Sequence, residues 1–165
     1  MAHNSNSEQE IQYLTFHLAG EEYAVRILQV KEIIPCGALT KVPQTPPSIC
    51  GVINLRGNVV PVVDLAVKFG LGASARTHRS CIVIVEVTLD GEPTTMGVLA
   101  DSVSQVMDFS ADDVVAPPVF GTRVNTSFLL GMGRSGSKFV LLLNIDRALA
   151  APDAEAGVAG AAAAE

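Results

Sequence analysis

The chain contains no tryptophan and only two tyrosines and six phenylalanines among its 165 residues. A surface that stacks nucleic-acid bases on aromatic rings is therefore not expected. Charged residues make up 17% of the chain, and 11 basic residues are outnumbered by 17 acidic ones, for a net charge of −6. Binding that relies on phosphate neutralisation needs a basic face, so the composition excludes nucleic acid as a partner.

Long apolar runs and cysteine motifs are also lacking. No apolar stretch approaches the roughly 20 residues that span a bilayer. The opening sequence MAHNSNSEQE lacks the basic start and apolar centre of a signal peptide. We therefore expect a cytoplasmic protein without direct membrane insertion. The cysteines are widely separated, which is typical of reduced thiols in a cytosolic protein; they are Cys36, Cys50 and Cys81.

Residue patterns that support catalysis or cofactor binding are missing as well. The glycine-rich segment 131–138 differs from a phosphate-binding loop, because its lysine follows a serine and it lies between two predicted strands. The three histidines do not have the spacing of metal ligands, and no nucleophile-elbow motif occurs. We expect no catalytic residues, no metal and no cofactor.

What the chain does contain is a series of strand signals over residues 10–150. Apolar residues account for 48% of the sequence, enough for a packed core. Alternating or β-branched apolar runs recur about every ten residues, with turn sequences such as Asp90-Gly91 between them. About nine or ten short strands with three short helical pieces fit two small barrels, or one barrel and a sandwich.

The two ends of the chain differ from this middle. Residues 1–9 are polar, which predicts a flexible N-terminus. Residues 151–165 are almost entirely alanine, glycine and acidic residues. An isolated helix of that length is marginal in water. We predict a disordered alanine-rich tail, with a frayed helical extension as the alternative.

Two segments carry specific structural predictions. Apolar residues between Ile27 and Ile34 fall at helical spacing, which predicts one or two helical turns ending at Pro35. Pro61 lies inside the apolar run 59–63. Because proline cannot donate a hydrogen bond to a β-ladder, that strand is predicted to lie at a sheet edge or to carry a bulge.

The most distinctive segment is a predicted hairpin with the sequence SICGVINLRGNVVPVVDL. Two β-branched runs flank Arg56-Gly57-Asn58, which supplies residues that tolerate the positive φ of a tight turn. An arginine at a rigid hairpin tip can bind a carboxylate through two parallel hydrogen bonds. A solvated turn charge is the alternative that the residues alone leave open.

This hairpin and several other motifs resemble the CheW family of chemotaxis coupling proteins. The likeness covers residues 10–150 as one CheW-like domain, in the order of the family. The motifs that carry it are Glu22-Tyr23-Ala24-Val25, Val30-Lys31-Glu32-Ile33, Gly51-Val52-Ile53-Asn54-Leu55-Arg56-Gly57, Val60-Pro61-Val62-Val63-Asp64-Leu65, Gly97-Val98, Asp101-Ser102-Val103 with Val106, and Gly131-Met132-Gly133 with Asn144-Ile145-Asp146.

The resemblance implies a mainly β fold, with two five-stranded barrel subdomains packed around a shared core and a few short helices. It also implies a non-catalytic adaptor that couples the cytoplasmic tips of methyl-accepting chemoreceptors to the regulatory domain of the histidine kinase CheA, at membrane-associated receptor arrays. The alternatives are a CheW-like scaffold of another chemosensory-type pathway, such as one for surface motility, or a small ligand-binding barrel.

By motif position, the resemblance places seven residues in or near partner-binding surfaces: Val30, Glu32, Gly51, Arg56, Gly57, Val103 and Val106. Arg56 and Glu32 would face the receptor. The kinase would contact the exposed strands of one barrel, and the resemblance does not assign individual residues to that contact. A core position is the alternative for Val30, and a purely backbone role is the alternative for Gly51 and Gly57.

Overall fold

The computed structural model describes residues 10–117 and 126–153. Within these ranges the chain forms short strands and two α-helices, in this order: β1 Ile11–Leu18, β2 Glu21–Arg26, β3 Val30–Pro35, β4 Ile49–Leu55, β5 Asn58–Asp64, α1 Leu65–Lys68, β6 Cys81–Leu89, β7 Glu92–Ala100, β8 Ser102–Phe109, β9 Val114–Val115, β10 Leu129–Ser135, β11 Lys138–Leu143 and α2 Ile145–Ala150.

The strands belong to two sheets. One sheet has six strands in the order β8-β1-β2-β11-β10-β9, and the other has five in the order β3-β6-β7-β5-β4. Neighbouring strands are antiparallel except for the β2–β11 and β5–β7 pairs, which are parallel. The chain thus begins in the six-stranded sheet, builds the whole five-stranded sheet and then returns.

Each sheet curls until strands from its two ends approach one another. In the five-stranded sheet, Arg56 of the β4–β5 turn reaches Glu32 on β3, with 2.6 Å between nitrogen and oxygen. In the six-stranded sheet, Phe109 of β8 lies against Gly133 of β10, so closely that a Cβ at Gly133 would lie 2.7 Å from its ring. The predicted mainly β fold with two barrel-like subdomains is therefore confirmed, with β9 as a sixth strand in one of them.

Three clusters of buried residues show how the barrels pack together. One cluster fills the six-stranded barrel and consists of Tyr13, Ala24, Phe109, Val140 and Leu142. A second fills the five-stranded barrel and consists of Val60, Val62, Ile82, Ile84 and Leu99. The largest joins the two sheets and includes Phe16, Leu18 and Tyr23 from one and Val63, Val83 and Val98 from the other. The predicted shared core is thus present.

The helix predicted between Ile27 and Ile34 is wrong. A single 3₁₀ turn covers Ile27–Gln29, and Val30–Pro35 is strand β3, paired antiparallel with β6. Residues along β3 alternate between half-buried and exposed, as a strand requires. Pairing of β-branched residues with a neighbouring strand outweighs the helical spacing of the apolar positions.

Placing the strand around Pro61 at a sheet edge is also wrong, because β5 lies between β7 and β4. The bulge falls on the partner strand, between Ile49 and Gly51. Pro61 is opposite Val52, whose backbone exchanges both of its hydrogen bonds with Thr40. The Val52–Pro61 pair therefore needs no hydrogen-bond donor from the proline. On the other side of β5, pairing with β7 begins only at Val62, the residue after Pro61.

The C-terminal end of the described chain is tied to the five-stranded barrel. The predicted flexible N-terminus, 1–9, and residues 154–165 of the predicted tail lie outside the described residues. Asp153 accepts hydrogen bonds from the backbone nitrogen and hydroxyl of Ser48, at 2.9 and 2.6 Å, and lies 3.4 Å from Lys68 Nζ. None of the helices in the described ranges is long and apolar enough to cross a membrane.

Candidate partner-binding surface

The predicted hairpin is confirmed, and its turn presents Arg56 at the tip. Arg56 and Gly57 both have positive φ, 53° and 88°, the backbone geometry of a type I′ turn. The side-chain oxygen of Asn54 accepts a hydrogen bond of 2.8 Å from the Gly57 nitrogen. Local hydrogen bonding and the strands on either side therefore hold the turn rigid.

Arg56 forms a two-pronged ion pair with Glu32. One guanidinium nitrogen donates to Glu32 Oε2 at 2.6 Å and the other to Oε1 at 3.0 Å. Hydrogen bonding between the two side chains lowers the pKa of the Glu32 carboxyl and raises the pKa of the Arg56 guanidinium. The carboxylate recognition predicted for Arg56 is thus met within the chain, while 72% of the arginine side chain stays exposed.

A groove of about 460 Å³ lies beside this ion pair. Its walls come from the β4–β5 hairpin, β3, β6 and β7, and include Leu55, Val59, Pro61, Ile84 and residues 93–95. Val59 is 74% exposed although it is a large apolar residue. We call this groove and its ion pair the hairpin face. Apolar walls beneath a charged rim are the usual composition of a protein-binding surface.

Gly51 and Gly57 act through the backbone. At Gly51, where φ is +150°, a Cβ would lie 2.8 Å from the carbonyl oxygen of Thr40 and 2.9 Å from Leu39 Cβ. Glycine there allows the segment before β4 to cross the strand closely. Gly57 has open space around it and needs only its positive φ.

The remaining predicted residues lie away from the hairpin tip. Val103 and Val106 are on β8, an edge strand of the six-stranded sheet. Val106 is 48% exposed, whereas Val103 and Val30 are half-buried and pack against the shared core. We call the exposed side of β8 the β8 face. The structure therefore groups Glu32, Arg56 and Gly57 together and places the β8 residues on the other sheet.

One exposed apolar feature was missed by the sequence reasoning. Leu28 is 95% exposed on the 3₁₀ turn between β2 and β3, and Ile11 at the start of β1 is 43% exposed. They line a second groove of about 320 Å³ together with Glu10, Gln12, Arg26 and Ile27. The sequence carries no signal for it, because the apolar residues around Leu28 predicted a helix packed on the core.

Two further findings concern the Cys50 thiol and the residue types that bind metal ions. Burial, followed by the nearby Asp64 carboxylate, raises the pKa of the Cys50 thiol, which makes it a weaker nucleophile at neutral pH. In residues 10–117 and 126–153, no group of three or more His, Cys, Asp or Glu residues could hold a metal ion.

Comparison with known proteins decides the family. Residues 12–153 match the family model of the CheW-like domain. The chain belongs to the CheW-like family. The chemotaxis protein CheW of Klebsiella aerogenes is 32% identical over 142 residues, which cover 86% of this chain and 83% of that protein. Protein FrzA of Myxococcus xanthus is 31% identical and covers 90% of each chain.

A solved structure supports the same family. The scaffolding protein TtCheW from Thermoanaerobacter tengcongensis superimposes with a TM-score of 0.76 at 30% identity, over 90% of this chain and 93% of that chain. The CheW-like resemblance that assigned seven partner-binding residues is therefore correct at the level of the family and fold. The roles of the individual residues remain predictions.

Proposed function

We propose that this CheW-like chain is a non-catalytic adaptor that couples the cytoplasmic tip of a methyl-accepting chemoreceptor to the regulatory domain of the histidine kinase CheA. The match of residues 12–153 to the CheW-like domain carries the proposal. Relatives named chemotaxis protein CheW, and a structural neighbour titled a scaffolding protein, support it. The adaptor works in the cytoplasm and is recruited to membrane-associated receptor arrays.

The receptor contact is proposed for the hairpin face. Arg56 offers an exposed guanidinium in a fixed position, and the groove beside it offers apolar walls. Fixing a side chain before binding reduces the conformational entropy that binding must remove. Glu32 is proposed to hold that position until a receptor group competes for the guanidinium.

The kinase contact is proposed for exposed strands of one barrel, as expected between two domains of like fold. Exposed apolar residues occur on both sheets, with Val59 on the hairpin face and Val106 on the β8 face. An adaptor needs surfaces that two partners can occupy at once, and the two sheets supply surfaces of this kind. Variants on each face identify which of them the kinase uses.

A ligand-binding barrel fits the described residues less well. The interiors of both barrels are filled by buried side chains, including Phe109 in one and Ile84 in the other. Small-molecule sites in barrels are usually interior cavities with a few converging polar groups. The grooves found here open on the surface, which suits a macromolecular partner.

Pairwise binding tests the proposal. The full chain is titrated with a receptor cytoplasmic fragment and, separately, with the kinase, and binding is measured by light scattering or calorimetry. Val106→Glu and Val59→Glu place a charge on the two faces. His78→Glu, which adds the same charge at an exposed loop position outside both faces, is the control. We expect the unmodified chain to bind both partners. We expect each face variant to bind one of the two partners at least tenfold more weakly than the unmodified chain does. Failure of the unmodified chain to bind either partner would contradict the proposal.

A further inference from the structure

Basic residues gather at one end of the five-stranded barrel, opposite the tip of the β4–β5 hairpin. Two loops close this end, residues 36–48 between β3 and β4 and residues 69–80 between α1 and β6. Neither loop contains an aspartate or a glutamate, although acidic residues outnumber basic ones by 17 to 11 in the whole chain. The charged side chains of the two loops are those of Lys41, Arg76 and Arg79. These loops are therefore positively charged on a chain whose net charge is −6.

The second of these loops is fixed by hydrogen bonds at both ends of residues 74–80, which we call the basic loop. The backbone nitrogen and the hydroxyl of Ser74 donate to Asp64, both at 2.9 Å. The Ser80 carbonyl accepts a hydrogen bond of 3.0 Å from the Cys36 nitrogen, which joins the two loops. A loop held in this way presents its side chains from a fixed backbone, and binding then removes less conformational entropy.

The arginines of the basic loop are exposed and unpaired. Arg76 and Arg79 are both exposed, and neither they nor Lys41 form a salt bridge in the described part of the chain. Two carboxylates at the same end of the barrel are already engaged. Asp64 is buried and accepts the hydrogen bonds from the basic loop, and Asp153 is paired with the lysine of α1. The two guanidinium groups therefore keep their donors for a partner.

The chemistry of the basic loop fits carboxylates. An arginine presents a planar fork of donors that binds a carboxylate through two parallel hydrogen bonds. A membrane surface is disfavoured, because recognition of anionic lipids takes clusters of about four to eight basic residues and these loops carry only the three named above. Nucleic acid is disfavoured by the net charge of −6 on the whole chain. A short acidic stretch of protein needs only a few matched charges, which also steer its approach.

We propose that the basic loop binds an acidic segment of a protein partner other than the receptor and the kinase. Strand β4 has seven residues, so about 20 Å of strand separates this end of the barrel from the Arg56 turn. A partner bound here leaves the hairpin tip free. The kinase contact is proposed for exposed strands, and the basic loop belongs to no strand. The inference adds a third surface, and its test does not require the adaptor function.

Nuclear magnetic resonance of the full chain with octaglutamate tests both the charge requirement and the place of binding. Octaglutamine, which has the same length and no side-chain charge, is the control peptide. We expect octaglutamate to shift the amide signals of the basic loop at low ionic strength, and octaglutamine to leave them unchanged. The shifts should shrink as salt is raised beyond about 0.1 M, where charges more than about 10 Å apart are screened.

Two charge-reversal variants test whether the arginines are responsible. Arg76→Glu combined with Arg79→Glu should weaken octaglutamate binding about tenfold. Arg134→Glu combined with Lys138→Glu makes the same total change in charge at exposed positions of β10 and β11, and should keep the binding of the unmodified chain. Arg76→Gln combined with Arg79→Gln removes the charges without reversing them. It should weaken binding in the same direction, which keeps the test informative if the reversed variant fails to fold.

The proposal is overturned if octaglutamate leaves the signals of the basic loop unchanged, or if the two charge-reversal variants lose binding equally. Equal losses would mean attraction to net charge rather than to this loop. It is also overturned if phosphatidylserine vesicles or a single-stranded oligonucleotide bind the loop and octaglutamate does not.

A last comparison separates this surface from the adaptor contacts. Arg76→Glu combined with Arg79→Glu should bind the receptor fragment and the kinase as the unmodified chain does. Weaker binding of either would assign the basic loop to that contact and contradict a third surface. Failure of the unmodified chain to bind receptor and kinase would contradict the adaptor function, but the octaglutamate result would stand.

Discussion

Arg56 is held in place by its own chain rather than extended freely from the turn. Its two hydrogen bonds to Glu32 join the β4–β5 turn to β3, the strand at the opposite end of the sheet order. The pair therefore helps to close the barrel and also fixes the guanidinium at the rim of the groove. A partner that binds there must compete with Glu32 or use the donors that Glu32 leaves free.

Replacing Arg56 by glutamate should weaken binding to the receptor fragment by at least tenfold. The new side chain repels Glu32 and removes the guanidinium from the hairpin face. The pair is exposed, so the midpoint of thermal unfolding should change by no more than about 4 °C. Arg79→Glu, which makes the same charge change in an exposed loop, should bind normally. Unchanged receptor binding by Arg56→Glu would remove Arg56 from the interface.

The two glycines of the hairpin should differ in their sensitivity to alanine. Gly51→Ala brings a Cβ against Thr40 and Leu39 and forces an unfavourable φ, so we expect a loss of about 2–4 kcal/mol in the free energy of unfolding. Gly57→Ala meets no neighbouring atom and should lose about 1–2 kcal/mol for its left-handed φ. Urea unfolding measures both, and equal losses would contradict the role given to Gly51.

At the scale of elements, Asp153, three residues beyond α2, connects the segment after that helix to the five-stranded barrel. Asp153 accepts two hydrogen bonds from Ser48, just before β4, and one from Lys68 of α1. Ser48 is 1% exposed and Lys68 is 8% exposed. Asp153→Ala leaves both without this partner and should cost about 2–3 kcal/mol of unfolding free energy. Asp108→Ala, at an exposed site, should cost less than about 0.5 kcal/mol. Equal costs would show that the contact contributes nothing.

The same contact predicts an acid dependence. Burial acts to raise the pKa of Asp153, but the hydrogen bonds from Ser48 and the charge of Lys68 together hold it below the ordinary value. A depressed folded-state pKa contributes stability above the unfolded value of about 3.9, and that stability disappears as the pH falls through the lower folded value. The stability difference between the unmodified chain and Asp153→Asn should therefore be constant above about pH 5 and shrink below about pH 4. A difference that grows on acidification would contradict this assignment.

Elements were predictable from the sequence where local chemistry decides them. The β4–β5 hairpin follows from Arg56-Gly57-Asn58 between two β-branched runs, and both parts of that pattern are local. Strand β3 was missed because its pairing with β6 joins segments about fifty residues apart, and helical spacing was the only local signal. The ion pair across the barrel, from Glu32 to Arg56, is non-local in the same way. The exposed Leu28 was missed because exposure depends on packing that the sequence does not display.

At the scale of the whole molecule, the two barrels share one core and should unfold together. Phe16 from the first sheet and Val83 from the second belong to the same buried cluster. Phe16→Ala should lower the free energy of unfolding by about 3–5 kcal/mol, and it should destabilise both barrels. Hydrogen exchange of Val140 in one barrel and Val62 in the other would report each separately. Phe139→Ala, at a side chain that is 46% exposed, is the control and should have little effect.

A single transition is expected for both reporters. If Phe16→Ala destabilised only the Val140 reporter and left Val62 unchanged, the barrels would be independent units and the shared core would not couple them.

The proposed adaptor function requires this chain to bridge a receptor and a kinase physically. The most direct measurement is co-sedimentation of the kinase CheA with vesicles that display the receptor cytoplasmic fragment, as the concentration of the chain is raised. The account predicts little kinase in the pellet without the chain, a saturable increase with it, and a reduced increase with Arg56→Glu. Kinase that sediments equally with and without the chain, or that never sediments, would contradict the claim.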